Sequence, residues 1–190
     1  MTRIVAGTAG GRRLTVPPRG TRPTSERVRE ALFNALEAML DLDGRWVLDL
    51  YAGSGALGFE ALSRGAAGVT FVESDRRAVE VLRRNAGALG LPGARVVAGT
   101  VEACVAGGAD RRYDVVLADP PYAVGNAELL DVLTSLVTNN WLAEDAVLVV
   151  ERATRDGEPP WPPGIAPLRA RRYGDTATHW AQRDLGAVLD

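Results

Sequence analysis

From Trp46 to Glu151 the chain alternates short apolar runs with stretches whose apolar residues recur every three or four positions. The apolar runs predict strands over 46–50, 69–73, 95–98, 114–118 and 146–151, and the recurrence predicts helices near 57–64, 76–89, 101–106 and 126–138. Gly65, Gly90 and the Gly107-Gly108 pair fall where helices end and a positive φ is wanted. Strands alternating with helices require right-handed crossovers, so the pattern predicts an α/β fold with a mostly parallel sheet covered on both faces. Ahead of this core, β-prone runs at 3–7 and 12–16 flank Thr8-Ala-Gly-Gly11 and predict a small hairpin. Thr24 or Ser25 then caps a helix that runs to about Leu40, with Val28, Ala31, Leu32, Ala35 and Leu36 on one side. After residue 151 the alternation stops. Prolines between 156 and 164 bar a helix, and 167–173 and 177–183, joined at Gly174-Asp175, predict a C-terminal antiparallel hairpin that completes a seven-stranded sheet.

Charge changes this picture. The chain of 190 residues carries a net −2, and all 22 of its basic residues are arginines. Seven of them, Arg3, Arg12, Arg13, Arg19, Arg22, Arg27 and Arg29, stand in the first 29 residues against Glu26 alone, which gives +6 there and leaves −8 on the rest. A basic arm on an acidic body predicts a local contact with a polyanion. The expected organisation is an arm over residues 1–24 and one α/β domain over 25–190. No apolar run approaches the ~18 residues of a membrane span, and the start has no apolar signal region. With one cysteine, Cys104, no internal disulfide is possible, and the expected location is the cytoplasm. One histidine, His179, and one cysteine also make a metal site unexpected; His179 and the four tryptophans are read as packing residues.

The chemistry concentrates in two stretches. Asp49-Leu-Tyr-Ala-Gly-Ser-Gly55 follows the first core strand and opens a helix. Gly53 and Gly55 let the backbone turn sharply and approach a ligand, with the N–H groups of the helix start pointing at it. With Gly58 they spell G-x-G-x-x-G, and Glu73, twenty residues after Gly53, stands where an acid for ribose hydroxyls is expected. A nicotinamide dehydrogenase carries the same pattern.

The second stretch, Asp119-Pro-Pro-Tyr122, ends the buried strand Tyr113-Asp-Val-Val-Leu-Ala118. Two prolines stiffen the exit and remove two donors, which leaves the Pro120 carbonyl beside the Asp119 carboxylate. Two acceptors suit one –NH₂ group, and Tyr122 offers a face for a planar ring. An exocyclic amine is a poor nucleophile, and acceptors on both hydrogens favour its pyramidal form and aim the lone pair; in-line methyl transfer needs that alignment more than a strong base. Stacking contributes about 1–3 kcal/mol per base, comparable with the cost of unstacking one.

Together the two stretches resemble the class I, S-adenosylmethionine-dependent amino-methyltransferases. Arg22-Pro-Thr-Ser-Glu-Arg-Val-Arg-Glu30, Ala52-Gly-Ser-Gly-Ala-Leu-Gly58 and Glu60-Ala-Leu-Ser-Arg64 narrow the resemblance to bacterial 16S rRNA guanine-N2 methyltransferases of the RsmD type, over nearly the whole chain. The resemblance implies a class I methyltransferase sheet, S-adenosylmethionine as cofactor, and 16S rRNA or the 30S subunit, assembled or nearly so, as partner of a monomeric enzyme. It further implies that Asp49, Tyr51, Ala52, Gly53, Ser54 and Gly55 hold the methionine part of the cofactor, that Glu73 and Ser74 take the ribose, and that Thr24 and Arg27 lie near the cofactor carboxylate. Asp119, Pro120, Pro121 and Tyr122 would grip and stack the guanine, and Arg3, Arg12, Arg13, Arg19 and Arg22 would hold rRNA. Where many relatives carry Asp or Asn for the adenine, this chain has Gly99-Thr100-Val101. Methylation of DNA adenine or a protein glutamine uses the same grip, and a ribosome-assembly factor with an idle pocket is the reading without catalysis.

Overall fold

The computed structural model describes residues 1–17 and 24–186. Seven strands form one sheet in the order β5-β4-β3-β6-β7-β9-β8, with β3 at Trp46–Leu50, β4 at Gly68–Glu73, β5 at Ala94–Ala98, β6 at Tyr113–Ala118, β7 at Leu142–Ala153, β8 at Ile165–Tyr173 and β9 at Thr176–Arg183. The first five are parallel, and β9 is inserted antiparallel between β7 and β8. The sheet therefore closes as the class I methyltransferase topology does, with the C-terminal hairpin that the sequence predicts.

Alternate residues of each strand belong to separate cores. Val47, Val115, Val147 and Val149 meet α1 (Glu26–Glu37), α2 (Ala56–Ser63) and α3 (Arg76–Leu89), while Leu48, Val116, Leu148 and Val150 meet α4 (Val101–Ala106) and α5 (Asn126–Thr138). Both faces are buried, which is why these strands read as unbroken apolar runs. Gly58 lets α2 sit tightly on the sheet: a Cβ there would stand 2.2 Å from Phe71 and 2.8 Å from Val69.

The N-terminal hairpin differs from its predicted extent. Only β1 (Thr2–Arg3) and β2 (Arg13–Leu14) pair. The Ile4 N–H still donates across the hairpin to the Arg12 carbonyl at 2.9 Å, but later donors turn to α2: the Val5 and Ala6 N–H groups donate to the Glu60 carboxylate at 2.8 and 3.0 Å, and the Thr8 N–H to the Ser63 carbonyl at 2.7 Å. Glu60 also meets the fully buried Arg29 at 3.4 Å and Arg64 at 2.9 Å. One buried carboxylate thus joins the hairpin, α1 and α2. β7 begins four residues earlier than predicted, at Leu142, because Leu142 pairs with Tyr113 ahead of an irregularity, after which Val147 pairs with Val115.

Candidate active site

Four carboxylates share one edge and one face of the sheet. Asp49, Glu73 and Glu151 lie on β3, β4 and β7, each in alternation with the residues that face α1, α2 and α3, and Asp119 follows Ala118 at the end of β6. Ala118 pairs with Val150, so the next residues, Asp119 just past β6 and Glu151 still on β7, stand side by side.

A cavity of about 440 Å³ opens over the glycine loop. It is lined by Tyr51, Ala52, Gly53 and Ser54 of that loop, by Glu73, Ser74, Thr100 and Val101 at or just after the ends of the next two strands, and by Asp49, Asp119 and Pro121. Val16, Pro17 and Thr24 reach it from the N-terminal segment. Gly53 has φ +57° and open space where a Cβ would stand, so a ligand can lie directly on its backbone. Gly55 has φ +82° and caps α2 behind the wall; the space of its Cβ is taken by Leu82 and Phe59. Tyr51 has φ +59°, and its buried hydroxyl has no hydrogen-bond partner among the described residues.

The loop is held by side chains. Glu73 accepts the Gly53 N–H and the Asp75 N–H, each at 2.8 Å, and Asp49, 1% exposed, accepts the Gly58 N–H at 2.9 Å. Burial pushes the Asp49 carboxyl well above the usual carboxylate range against the pull of that hydrogen bond. Asn85, buried on α3, donates to the Ser54 carbonyl and the Thr15 carbonyl at 2.9 Å each and accepts the Thr15 N–H, so it fastens the loop to the N-terminal segment. Thr100 caps α4 by accepting the Ala103 N–H at 3.1 Å, and the Gly99 N–H donates to the Glu73 carbonyl.

A second cavity, about 380 Å³, adjoins the first at Asp119 and Thr24 and is walled by Pro120, Tyr122, Glu151, Arg152 and Tyr173. Tyr122 is 68% exposed, with the Arg155 guanidinium 5.7 Å from its ring centre. The Thr24 hydroxyl donates to Glu151 at 2.7 Å. Arg152 reaches away to the Val124 carbonyl and Asn126, and so braces the loop that follows Asp119-Pro-Pro-Tyr122. Burial first, then the Glu151 and Asp49 charges, push the Asp119 carboxyl well above the usual range; burial raises Glu151 as well. Among the described residues no arginine forms an ion pair with Asp119 or Glu151.

Of the residues read from sequence, the structure brings Thr24, Asp49, Tyr51 to Ser54, Glu73, Ser74, Thr100, Val101 and Asp119 to Tyr122 around these two cavities, whereas Gly55 and Gly99 line neither. Arg27 stands apart from both. It lies two residues from the buried Arg29, about 200° around the helix, and so faces solvent. Among the N-terminal arginines, Arg12 donates to the Leu89 carbonyl at 2.6 Å and to the Ala88 carbonyl, capping α3, and Arg3 pairs with Glu26 at 3.0 Å. Arg13 is exposed, and Arg19 and Arg22 lie outside the described residues. Asn85 and Glu151 escaped the reading from sequence; only Glu151 left a trace there, as the acid at the end of a strand.

A sheet of this order, with a glycine loop and a strand-end acid at its carboxyl edge, defines a class I methyltransferase. The chain belongs to the RsmD-type family, described as "Conserved hypothetical protein 95", whose model matches residues 2–182. It is 39% identical over 99% of its length to the Ribosomal RNA small subunit methyltransferase D of Escherichia coli K12, covering 93% of that protein. It is 35% identical to the Putative rRNA methyltransferase YlbH of Bacillus subtilis, with 92% of this chain and 95% of that one aligned. Among solved structures, the Escherichia coli putative methyltransferase yhhF superposes with a TM-score of 0.85 at 37% identity, over 96% of this chain and 98% of that one.

Proposed function

We propose that this chain transfers a methyl group from S-adenosylmethionine to the exocyclic N2 amine of one guanine in 16S rRNA. The observation that carries the reading is the junction of the two cavities at Asp119: one has a bare glycine backbone and a ribose-type acid, the other an exposed aromatic ring, and the acceptors of Asp119-Pro120 stand between them. S-adenosylmethionine, when bound, supplies the electrophilic methyl group. The open space at Gly53, the free lone pairs of Glu73 and the orphan Tyr51 hydroxyl fit a polar ligand with ribose and amino-acid parts. Asp49 to Gly55 would hold its methionine part, Glu73 and Ser74 its ribose, Thr100 and Val101 its adenine, with Thr24 near the carboxylate.

On the acceptor side, the Asp119 carboxylate and the Pro120 carbonyl take the two amine hydrogens and turn the nitrogen lone pair toward the cofactor cavity. Asp119 is also the acceptor for the proton that the methylated nitrogen sheds, a task suited to a carboxyl raised by burial. Tyr122 stacks on the flipped base. Arg3 and Arg13 of the arm, residues 1–24, meet phosphates while the domain, 25–190, performs the transfer, as a monomer in the cytoplasm on a 30S subunit or a late assembly intermediate. Incubation with labelled S-adenosylmethionine and undermethylated 30S subunits, naked 16S rRNA, naked DNA or release factor tests this. N2-methylguanosine in the digested rRNA is the expected product; label in DNA adenine or in protein sinks the reading.

A further inference from the structure

Glu151 has no part in gripping the amine, yet it stands beside the group that does. It follows Val150 as Asp119 follows Ala118, on the same face of adjoining parallel strands, and both line the second cavity. One of its oxygens accepts the Thr24 hydroxyl; the other accepts no hydrogen bond from the described residues. The paired carboxylates are partly shielded from water and lack an arginine partner among the described residues. Two such acceptors cost solvation that a donor-rich ligand restores.

The Watson–Crick edge of guanine carries two neighbouring donors, the N2 amine and the N1–H. Adenine and 2-aminopurine place a bare lone pair at N1. Two ring nitrogens flank the amine, N1 and N3; with the amine on Asp119 and Pro120, only the orientation that turns N1 toward Glu151 gives that neighbouring carboxylate a hydrogen to accept. Resting on the guanine-N2 reading above, we infer that Glu151 accepts the guanine N1–H and is the residue that selects guanine over purines whose N1 carries no hydrogen. Thr24 positions it: the hydroxyl fixes one oxygen and leaves the other toward the base. Rejection is electrostatic, because a carboxylate facing a lone pair leaves two acceptors unpaired in a shielded site. Sites built to bond an N–H reject analogues lacking it by about 10⁴–10⁵ where the group is fully enclosed, and by less at an open cavity such as this one.

The experiment uses 30S particles reconstituted with rRNA carrying guanine or 2-aminopurine at the nucleotide that the wild-type protein methylates. 2-Aminopurine keeps the N2 amine, so transfer to it remains chemically possible. Wild-type protein is expected to favour guanine at least about 10²-fold in kcat/KM. Glu151→Gln retains the shape but offers an amide N–H to the bare N1, and is expected to narrow that preference at least tenfold, with S-adenosylmethionine affinity within twofold of wild type. Because 2-aminopurine also lacks O6, the change in the ratio between the two proteins, rather than either ratio alone, reports on N1. Equal use of the two bases by wild type, which needs no variant to fold, overturns the inference. So does an unchanged ratio in Glu151→Gln. Absence of N2-methylguanosine from wild type on guanine particles overturns the underlying reading, and is seen before any variant is made.

Discussion

At Gly58 a Cβ would strike Phe71 at 2.2 Å, whereas at Gly53 nothing lies within 4 Å of one, although Gly53 has the left-handed backbone at φ +57°. Gly58→Ala should therefore lower stability by about 1–3 kcal/mol through overpacking, read from the denaturant midpoint. Gly53→Ala should cost about 1 kcal/mol in strain but weaken S-adenosylmethionine binding at least about tenfold, read by calorimetry, since its methyl enters the cavity. Asp119 separates function from stability in the other direction. Its folded pKa is raised by burial, Glu151 and Asp49, so its contribution to stability is complete below the unfolded carboxylate pKa and is lost as pH rises through the raised folded value. Asp119→Asn should melt above wild type at pH 7.5, with the gap closing as pH falls toward about 4, while kcat drops about 10²–10³-fold and the cofactor still binds. A variant that melts lower at pH 7.5 would show that the carboxylate is stabilised in the fold.

Elements with a strong amphipathic period were legible to the residue: 76–89, 101–106 and 126–138 are read from sequence with the bounds that α3, α4 and α5 have. The hairpin was not, because its length is decided by partners 54 and 55 residues away, where Glu60 takes two backbone N–H groups that a ladder would otherwise use. No local pattern reports such a partner. The same limit hid Asn85, whose polar side chain directly after Arg83 and Arg84 looks like a surface residue, and left the direction of Arg27 open, since only the structure turns Arg29 inward. Glu60→Gln tests the joint. It strips the charge from a buried site shared with Arg29, and should cost about 3–5 kcal/mol, with amide exchange at Val5 and Ala6 accelerating more than in α5. Uniform acceleration across the chain would mean that the hairpin is not separately held.

At the scale of the whole molecule, the basic N-terminal segment is less free than its charge suggests, since Arg29 is buried, Arg12 caps α3 and Arg3 has an acidic neighbour. Arg13→Ala should reduce the slope of log affinity for rRNA against log salt by about 1, whereas Arg12→Ala should leave the slope and lower the melting temperature. Equal slopes in the two variants would contradict this division. The antiparallel strand β9 adds a temporal consequence. Made last among the strands, it takes the last place but one in the sheet, so β7 has no partner on that side until Thr176–Arg183 has left the ribosome. Each nascent copy therefore passes through an interval in which β3 to β7 and α1 to α5 have been made but the edge of β7 presents unpaired backbone N–H and C=O groups, and that interval lasts for the translation of residues 154–183. Synthesis speed over this stretch is thus a route to loss by association that is separate from the stability of the finished sheet.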